Sequence, residues 1–298
     1  MDDCLRSDLR VLVVGGDSAI GGALARGLQT NGVSVQYTSR RPQPRSPDQI
    51  FLDLSEDLVR FQHRDFPSFD VAVLCAGITS TAMCNVDPIL TRKVNVKNVI
   101  ELAREFSSRG THIVYISSSC VFSGEIPFAR SESTIAPLNE YGRQKAEVEL
   151  MLSSECESFA IVRFGKVTSR HSTLFVNWLE SLSAARAIQA FEDVTVSPIA
   201  ISFAVKILGI IVLRRAQGIF QASAGNELSY AAVARRLAGL IGADQNLVKL
   251  VKGRTLQTDN FPRFATLDSS SLGAIGLKAP ELDDALSELT NEFLMSRA

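Results

Sequence analysis

Short, nearly unbroken apolar runs alternate with segments of helical period through the first half of the chain. Residues 9–14, 34–38, 70–75, 112–117 and 159–164 are strand-length and rich in β-branched side chains. That character suits strands covered on both faces. Between them, Ile20, Ala23, Leu24 and Leu28 make one helical stripe, which Asn31-Gly32 closes. A long helix starts at Asp87-Pro88 and carries Val94, Val99, Leu102, Ala103 and Phe106 as far as Gly110. Such alternation marks βαβ units and predicts an α/β fold with a doubly wound, parallel, Rossmann-type sheet. After about Phe164 the alternation fades. Residues 173–187, 202–213, 229–241 and 281–295 read as helices, separated by short extended pieces such as 219–222. The expected organisation is a sheet domain over 1–165, rejoined by a strand from about 190–222, and a smaller, mostly helical lobe over 166–298.

Composition narrows the class. Of 298 residues, 46% are apolar and 21% charged, ordinary for a soluble globular enzyme. The net charge of −1 provides no basic field for nucleic acid or an anionic membrane, and basic residues do not cluster with aromatics. The first ten residues carry three acids and no apolar core of a signal peptide. The apolar run 207–213 is interrupted by Gly209 and is too short to span a bilayer. The five cysteines (Cys4, Cys75, Cys84, Cys120, Cys156) are odd in number and lack a C-x-x-C pair, which suits reduced thiols in a cytoplasmic protein. His63, His112 and His171 are scattered without ligand spacing, so no metal site is expected.

Three clusters carry chemistry. The first apolar run leads straight into Gly15-Gly16-Asp17-Ser18-Ala19-Ile20-Gly21 and then a helix. Small residues there let backbone approach a pyrophosphate at the positive end of the helix, with Ser18 standing where a middle glycine is usual. The second strand ends in Ser39-Arg40-Arg41, where an acid would select the 2′-hydroxyl of NAD. Two arginines and a serine suit a 2′-phosphate, so NADP is expected before NAD. Asp53-Leu54, after the next apolar piece, is placed to reach the adenine. Finally, Tyr141 and Lys145 share a helix face at i, i+4, with Ser118 in a serine run upstream. An ammonium favours phenolate over phenol, so Lys145 is expected to draw the Tyr141 pKa down from about 10.

Together these motifs resemble the extended short-chain dehydrogenase/reductases, and within them the dTDP-4-dehydrorhamnose reductase-like, sugar nucleotide-binding branch. The resemblance runs through residues 14–21, Val73-Leu74-Cys75-Ala76-Gly77, Val94-Asn95-Val96, residues 116–124, residues 137–147 and Val162-Arg163. Gly218-Ile219-Phe220 and Thr266-Leu267-Asp268-Ser269 support it. It implies that Ser118, Tyr141 and Lys145 are catalytic. It also implies that Gly15, Ser18–Gly21, Ser39–Arg41, Asp53, Leu54, Cys75–Gly77 and Asn95 hold the cofactor together with Tyr141 and Lys145. The implied reaction is hydride transfer from NADPH to the C4 carbonyl of a nucleotide-activated 4-keto-6-deoxy sugar, with Tyr141 giving the proton and Ser118 and Ser119 meeting the substrate. Residues 1–165 would then be the NADP-binding domain and 166–298 the substrate lobe. A homodimer is common among such proteins, though no interface stripe stands out.

Departures from the branch bear on specificity. Cys75 stands where an asparagine is frequent, and Lys166 where the rhamnose-forming reductases place a tryptophan, which makes it an anion partner for the substrate. Ser119 and Cys120 occupy the places of a dehydratase's Asp-Glu pair and cannot do that work. An epimerase would keep the same Ser, Tyr and Lys, and a non-catalytic regulatory subunit would keep the nucleotide fold alone. Arg254 and Arg263 are candidates for a diphosphate through bidentate contacts.

Overall fold

In the first strand, β1 (Arg10–Val14), four residues of five are buried. Both of its neighbours run parallel to it. The computed structural model describes residues 9–58, 67–253 and 262–297; Cys4, His63 and Arg254 lie outside them. With β2 (Ser34–Ser39), β3 (Gln49–Phe51), β4 (Val71–Leu74), β5 (His112–Ser118), β6 (Phe159–Phe164) and a late strand, Gly218–Ala222, β1 builds a seven-stranded sheet. Its order is Gly218–Ala222, β6, β5, β4, β1, β2, β3. The expected doubly wound sheet is therefore present, and its order reverses between β1 and β4, where such sheets open a crevice.

The chain divides into two compact units. The first takes the described residues of Met1–Val121, Asn139–Arg163 and Val205–Phe220. Its helices are α1 (Ala19–Thr30), α2 (Thr81–Val86), α3 (Pro88–Arg92), α4 (Asn98–Ser108), α5 (Glu140–Glu155) and, from Val205 on, the helix Ile201–Arg214. Of the expected stripe, α1 buries Leu24 and Leu28 and leaves Ile20 and Ala23 half-buried, while Ala25 joins the buried face. Asp87 caps α3 by accepting from the Leu90 N–H. The expected single helix after Pro88 is interrupted by a π turn, Lys93–Lys97, between α3 and α4. That wider turn buries Val94, Asn95 and Val96 in succession.

The second unit takes Phe122–Leu138, Phe164–Ala204 and the described residues of Gln221–Ala298. Its helices Thr173–Ser183, Tyr230–Leu240 and Leu282–Met295 lie close to the expected ranges. Between them are small strand groups that the sequence reading passed over: Val167–Thr168 with Ile199–Ala200, Ile188–Phe191 with Val248–Val251, and Thr195–Val196 with Leu228–Ser229 and Phe264–Ala265. Pieces of two to four residues are too short to show a period of two. Trp178 packs in the core against Phe175 and Tyr230, with ring centroids 5.6 Å and 6.2 Å away. No described helix is long and apolar enough to cross a membrane.

One buried ion pair fastens α5 to β6. The Arg163 guanidinium donates from Nε and Nη2 to the Glu149 carboxylate at 2.7–3.2 Å, and both residues are buried. Removing one partner leaves a charge stranded in the core, which costs about 3–5 kcal/mol. Arg163→Ala should therefore lose that much stability in urea unfolding, whereas Arg163→Met with Glu149→Leu should recover most of it. A loss under ~1 kcal/mol for the single variant would show the pair to be solvated and weak.

Candidate active site

The crevice between β1 and β4 is shaped by glycine. Gly15 sits at φ +99°, and a Cβ there would lie 2.6 Å from the Ala76 nitrogen. At Gly21 a Cβ would come within 2.4 Å of the Gly15 carbonyl oxygen. Ser18 caps α1: its hydroxyl accepts from the Gly21 N–H at 3.0 Å and donates to the Gly15 carbonyl at 2.8 Å. The serine hydroxyl thus closes the turn that a glycine would otherwise make. Ala19 and Ile20, the next two residues, have backbone N–H groups with no acceptor among the described residues. A tight turn, no side chain at the close approach and free N–H groups at a helix start make a cradle that fits a dinucleotide pyrophosphate.

The end of β2 is sewn to this loop. The Thr38 hydroxyl accepts from the Gly15 N–H at 2.9 Å, and its carbonyl accepts from the Gly16 N–H at 2.8 Å. Ser39 is buried and donates its hydroxyl to the Asp17 carboxylate at 2.6 Å. The Arg40 N–H reaches the same oxygen at 3.3 Å, and the exposed Arg41 guanidinium lies 3.6 Å from the other oxygen. Asp53 uses its carboxylate on the Ser55 N–H and hydroxyl, and the buried Leu54 offers its carbonyl to Asn98.

Across the switch point, β5 ends at Ser118, and a short 3-10 turn beginning at Ser119 follows. α5 is started by Asn139, whose side chain accepts from the Gly142 N–H. The first turns of α5 then carry Tyr141 and Lys145 inward, both buried. The Ser118 hydroxyl accepts from the Cys120 N–H at 3.2 Å and acts on the Tyr141 phenol, lowering its pKa. The Lys145 ammonium donates to the Ile116 carbonyl at 2.8 Å. It also lies over two rings, 4.6 Å from the Tyr115 centroid and 5.7 Å from that of Tyr141.

Burial governs the titration of this group. Desolvation pushes the Tyr141 phenol well above its ordinary value, with the Cys120 and Cys84 thiols adding to it and the Ser118 hydrogen bond opposing it. The shift is opposite to the one expected from Lys145. The lysine itself is drawn down to about 8 by desolvation, held from falling further by the Glu149 carboxylate. Desolvation also pushes the Cys75 thiol up to about 12, against the pull of the Lys145 ammonium.

The structure therefore brings Ser118, Tyr141 and Lys145 together, and it sets Gly15 against Ala76. Asn95 spends its side chain on protein: Oδ1 accepts from the Ile78 N–H at 2.7 Å, while Nδ2 donates to the Ile78 carbonyl and to Gln144 Oε1. It fixes the chain just past Gly77. Lys166 belongs to the second unit, where its ammonium lies 5.6 Å from the Phe175 ring centroid. Sequence reading missed Asp17, Thr38, Tyr115 and Gln144. Asp17 carried a visible signal, an acid inside a glycine loop, but its partners come from a strand 22 residues away.

Residues 9–295 match the family described as RmlD substrate binding domain. The chain belongs to that family. The expected branch is thus borne out at family level, since an RmlD-type match runs through nearly all of the described chain. A methionine adenosyltransferase 2 subunit beta from Pongo abelii is 32% identical over 155 residues, 52% of this chain and 46% of the relative. The chain therefore spans about half the length of such relatives. A dTDP-4-dehydrorhamnose reductase from Sinorhizobium fredii is 28% identical over 243 residues, 76% of this chain and 81% of the relative. A crystal structure of dTDP-4-dehydrorhamnose reductase from Bacillus anthracis str. Ames, in complex with NADP, has a TM-score of 0.85 at 19% identity, covering 95% of this chain and 99% of that one. At that identity the likeness is one of fold.

The titration of Lys145 has a stability consequence of fixed sign. With a folded pKa of about 8 against an ordinary 10.5, the unfolded chain binds more protons between these values. Raising the pH through that window should stabilise this RmlD-family fold through Lys145, and below pH 8 the full cost of charging it is present. Lys145→Met should flatten the rise in urea-unfolding free energy between pH 8 and 10.5 relative to the unsubstituted protein. Parallel pH profiles would contradict the shift.

Proposed function

We propose that this protein is an NADPH-dependent reductase of a nucleotide-linked 4-keto-6-deoxy sugar. Residues 1–165 would hold the cofactor, and residues 166–298 would recognise the nucleotide sugar. The observation that carries this reading is the convergence of Ser118, Tyr141 and Lys145 at the end of β5, in the same unit as a glycine cradle with free backbone N–H groups. Family membership, the name of the Sinorhizobium relative and the NADP in the Bacillus neighbour support it.

The residues that would hold the dinucleotide are Gly15, Ser18–Gly21 and Ala76 at the pyrophosphate and Ser39–Arg41 at the adenosine end. Asp53 and Leu54 would lie near the adenine, and Cys75, Gly77 and Lys145 near the nicotinamide side, with Asn95 holding Ile78 behind them. When bound, NADPH supplies hydride. The protein's part is to hold the carbonyl and provide a proton. Burial keeps Tyr141 in its protonated form across the physiological range, so it carries the proton a reduction requires. The Ser118 hydroxyl, close enough to lower the Tyr141 pKa, would donate to the oxygen on which charge develops. The Lys145 ammonium lies above the Tyr141 ring and favours the phenolate left after proton donation. Lys166 is assigned to the substrate by the resemblance alone.

A second reading is favoured by one observation, the name shared by the relatives near 30% identity. On it, this chain would be a partner subunit of another enzyme and would bind a dinucleotide without turning over a sugar. One assay separates the two. Purified protein with NADPH and a panel of nucleotide-linked 4-keto sugars should oxidise the cofactor with one of them, whereas cofactor binding without oxidation by any favours the subunit reading.

Tyr141→Phe should lower turnover by about 10²–10⁴-fold while leaving NADPH affinity nearly unchanged in a binding titration. Unaltered turnover would sink the assignment of Tyr141 as acid. Ser118→Ala removes one transition-state hydrogen bond and should cost about 2–4 kcal/mol of activation free energy. Replacing Arg40 and Arg41 together by alanine should weaken NADPH far more than NADH. Equal weakening would mean that the arginines do not read a 2′-phosphate.

A further inference from the structure

The donors expected to receive a 2′-phosphate already hold an anion belonging to the protein. Asp17 leaves the glycine loop and sets one carboxylate oxygen 2.6 Å from the Ser39 hydroxyl and 3.3 Å from the Arg40 N–H. Its other oxygen faces the Arg41 guanidinium at 3.6 Å. These are the three residues, Ser39, Arg40 and Arg41, whose chemistry reads as a phosphate site at the end of β2. The two kinds of contact differ in strength. The Arg41 pair is loose and exposed at 50% and 31% of side-chain surface, so solvent screens it and it is readily given up. The Ser39 contact is short, charge-assisted and made by a hydroxyl that is 2% exposed, so it holds the carboxylate in place. Ser39 in turn accepts from the Arg41 N–H at 3.1 Å, which locks the turn around it.

We propose that Asp17 is a specificity-determining residue that sets the cofactor preference from the glycine loop, by holding a fixed carboxylate in the donor set of the 2′-phosphate subsite. This rests on the dinucleotide reading of the cradle and deepens it. A 2′-phosphate can recruit the Arg41 guanidinium, but the anchored carboxylate stays beside it and opposes its charge. A 2′-hydroxyl meets no such opposition and finds in Asp17 an acceptor, the role an acid at the end of β2 has in NAD-selective folds. The preference for NADPH that Arg40 and Arg41 confer is therefore reduced by Asp17, and both cofactors fall within a usable range.

The test is calorimetric titration of the full chain with NADPH and with NADH, before and after Asp17→Asn. Losing one nearby charge should tighten NADPH by about tenfold while NADH is unchanged or weaker. Asp17→Ser keeps a hydroxyl partner for Ser39 and should shift the ratio the same way, so the test survives if the amide disturbs the turn. A thermal midpoint within a few degrees of the unsubstituted protein confirms that either variant is folded. An unchanged ratio of the two affinities, or a shift toward NADH, overturns the proposal while leaving the dinucleotide reading intact. Failure of the unsubstituted protein and both variants to bind either cofactor overturns both.

Discussion

No side chain fits between the ends of β1 and β4. The backbone of Gly15 lies so close to Ala76 that a Cβ would meet the Ala76 nitrogen at 2.6 Å, and its φ of +99° is one that residues with a Cβ rarely take. This close approach sits at the point where strand order reverses, and the rest of the first unit is arranged around it. The Ser18 hydroxyl tightens the loop from one side, and the Thr38 hydroxyl and carbonyl hold it from the other. Ala19 and Ile20, in the first turn of α1, have backbone N–H groups with no acceptor among the described residues.

The cluster of Ser118, Tyr141 and Lys145 obeys a different constraint, desolvation. Tyr141 and Lys145 are both buried, and each is driven toward its neutral form: the phenol upward and the ammonium down to about 8. A neutral tyrosine near a lysine poised around neutrality suits a group that must give a proton and then tolerate the anion. The Glu149 carboxylate, held by Arg163 through Nε to Oε1 and Nη2 to Oε2, provides the counter-charge that keeps the lysine from falling further. The stability of the α5–β6 pair and the protonation of the site are thus one problem in electrostatics.

Much of this was legible in the sequence because it depends on local pattern. Five β-branched runs marked the inner strands, Leu24 and Leu28 marked α1, and the i, i+4 spacing of Tyr141 and Lys145 placed them on one face. What was not legible depends on contacts between distant segments. Asn95 reads as a cofactor residue by position, yet a π turn, invisible to a 3.6-residue period, turns it onto Ile78 and Gln144. The direction of the Tyr141 shift was misjudged because spacing shows a neighbouring charge but not the depth of burial. Asp17 is visible as an acid inside a glycine loop, but its partner Ser39 lies 22 residues away and only the fold brings the two together.

In the proposed reaction NADPH gives hydride to a ketosugar carbonyl and Tyr141 supplies the proton. The most direct test uses NADPH deuterated at the transferable position of the nicotinamide, with nucleotide-linked 4-keto-6-deoxy sugars, and reads the product by mass spectrometry and NMR. One deuterium is expected at C4 of the product sugar, with its formation lost in Tyr141→Phe. Tight NADPH binding with no deuterium in any of the sugars would contradict it and leave the chain as a binding subunit.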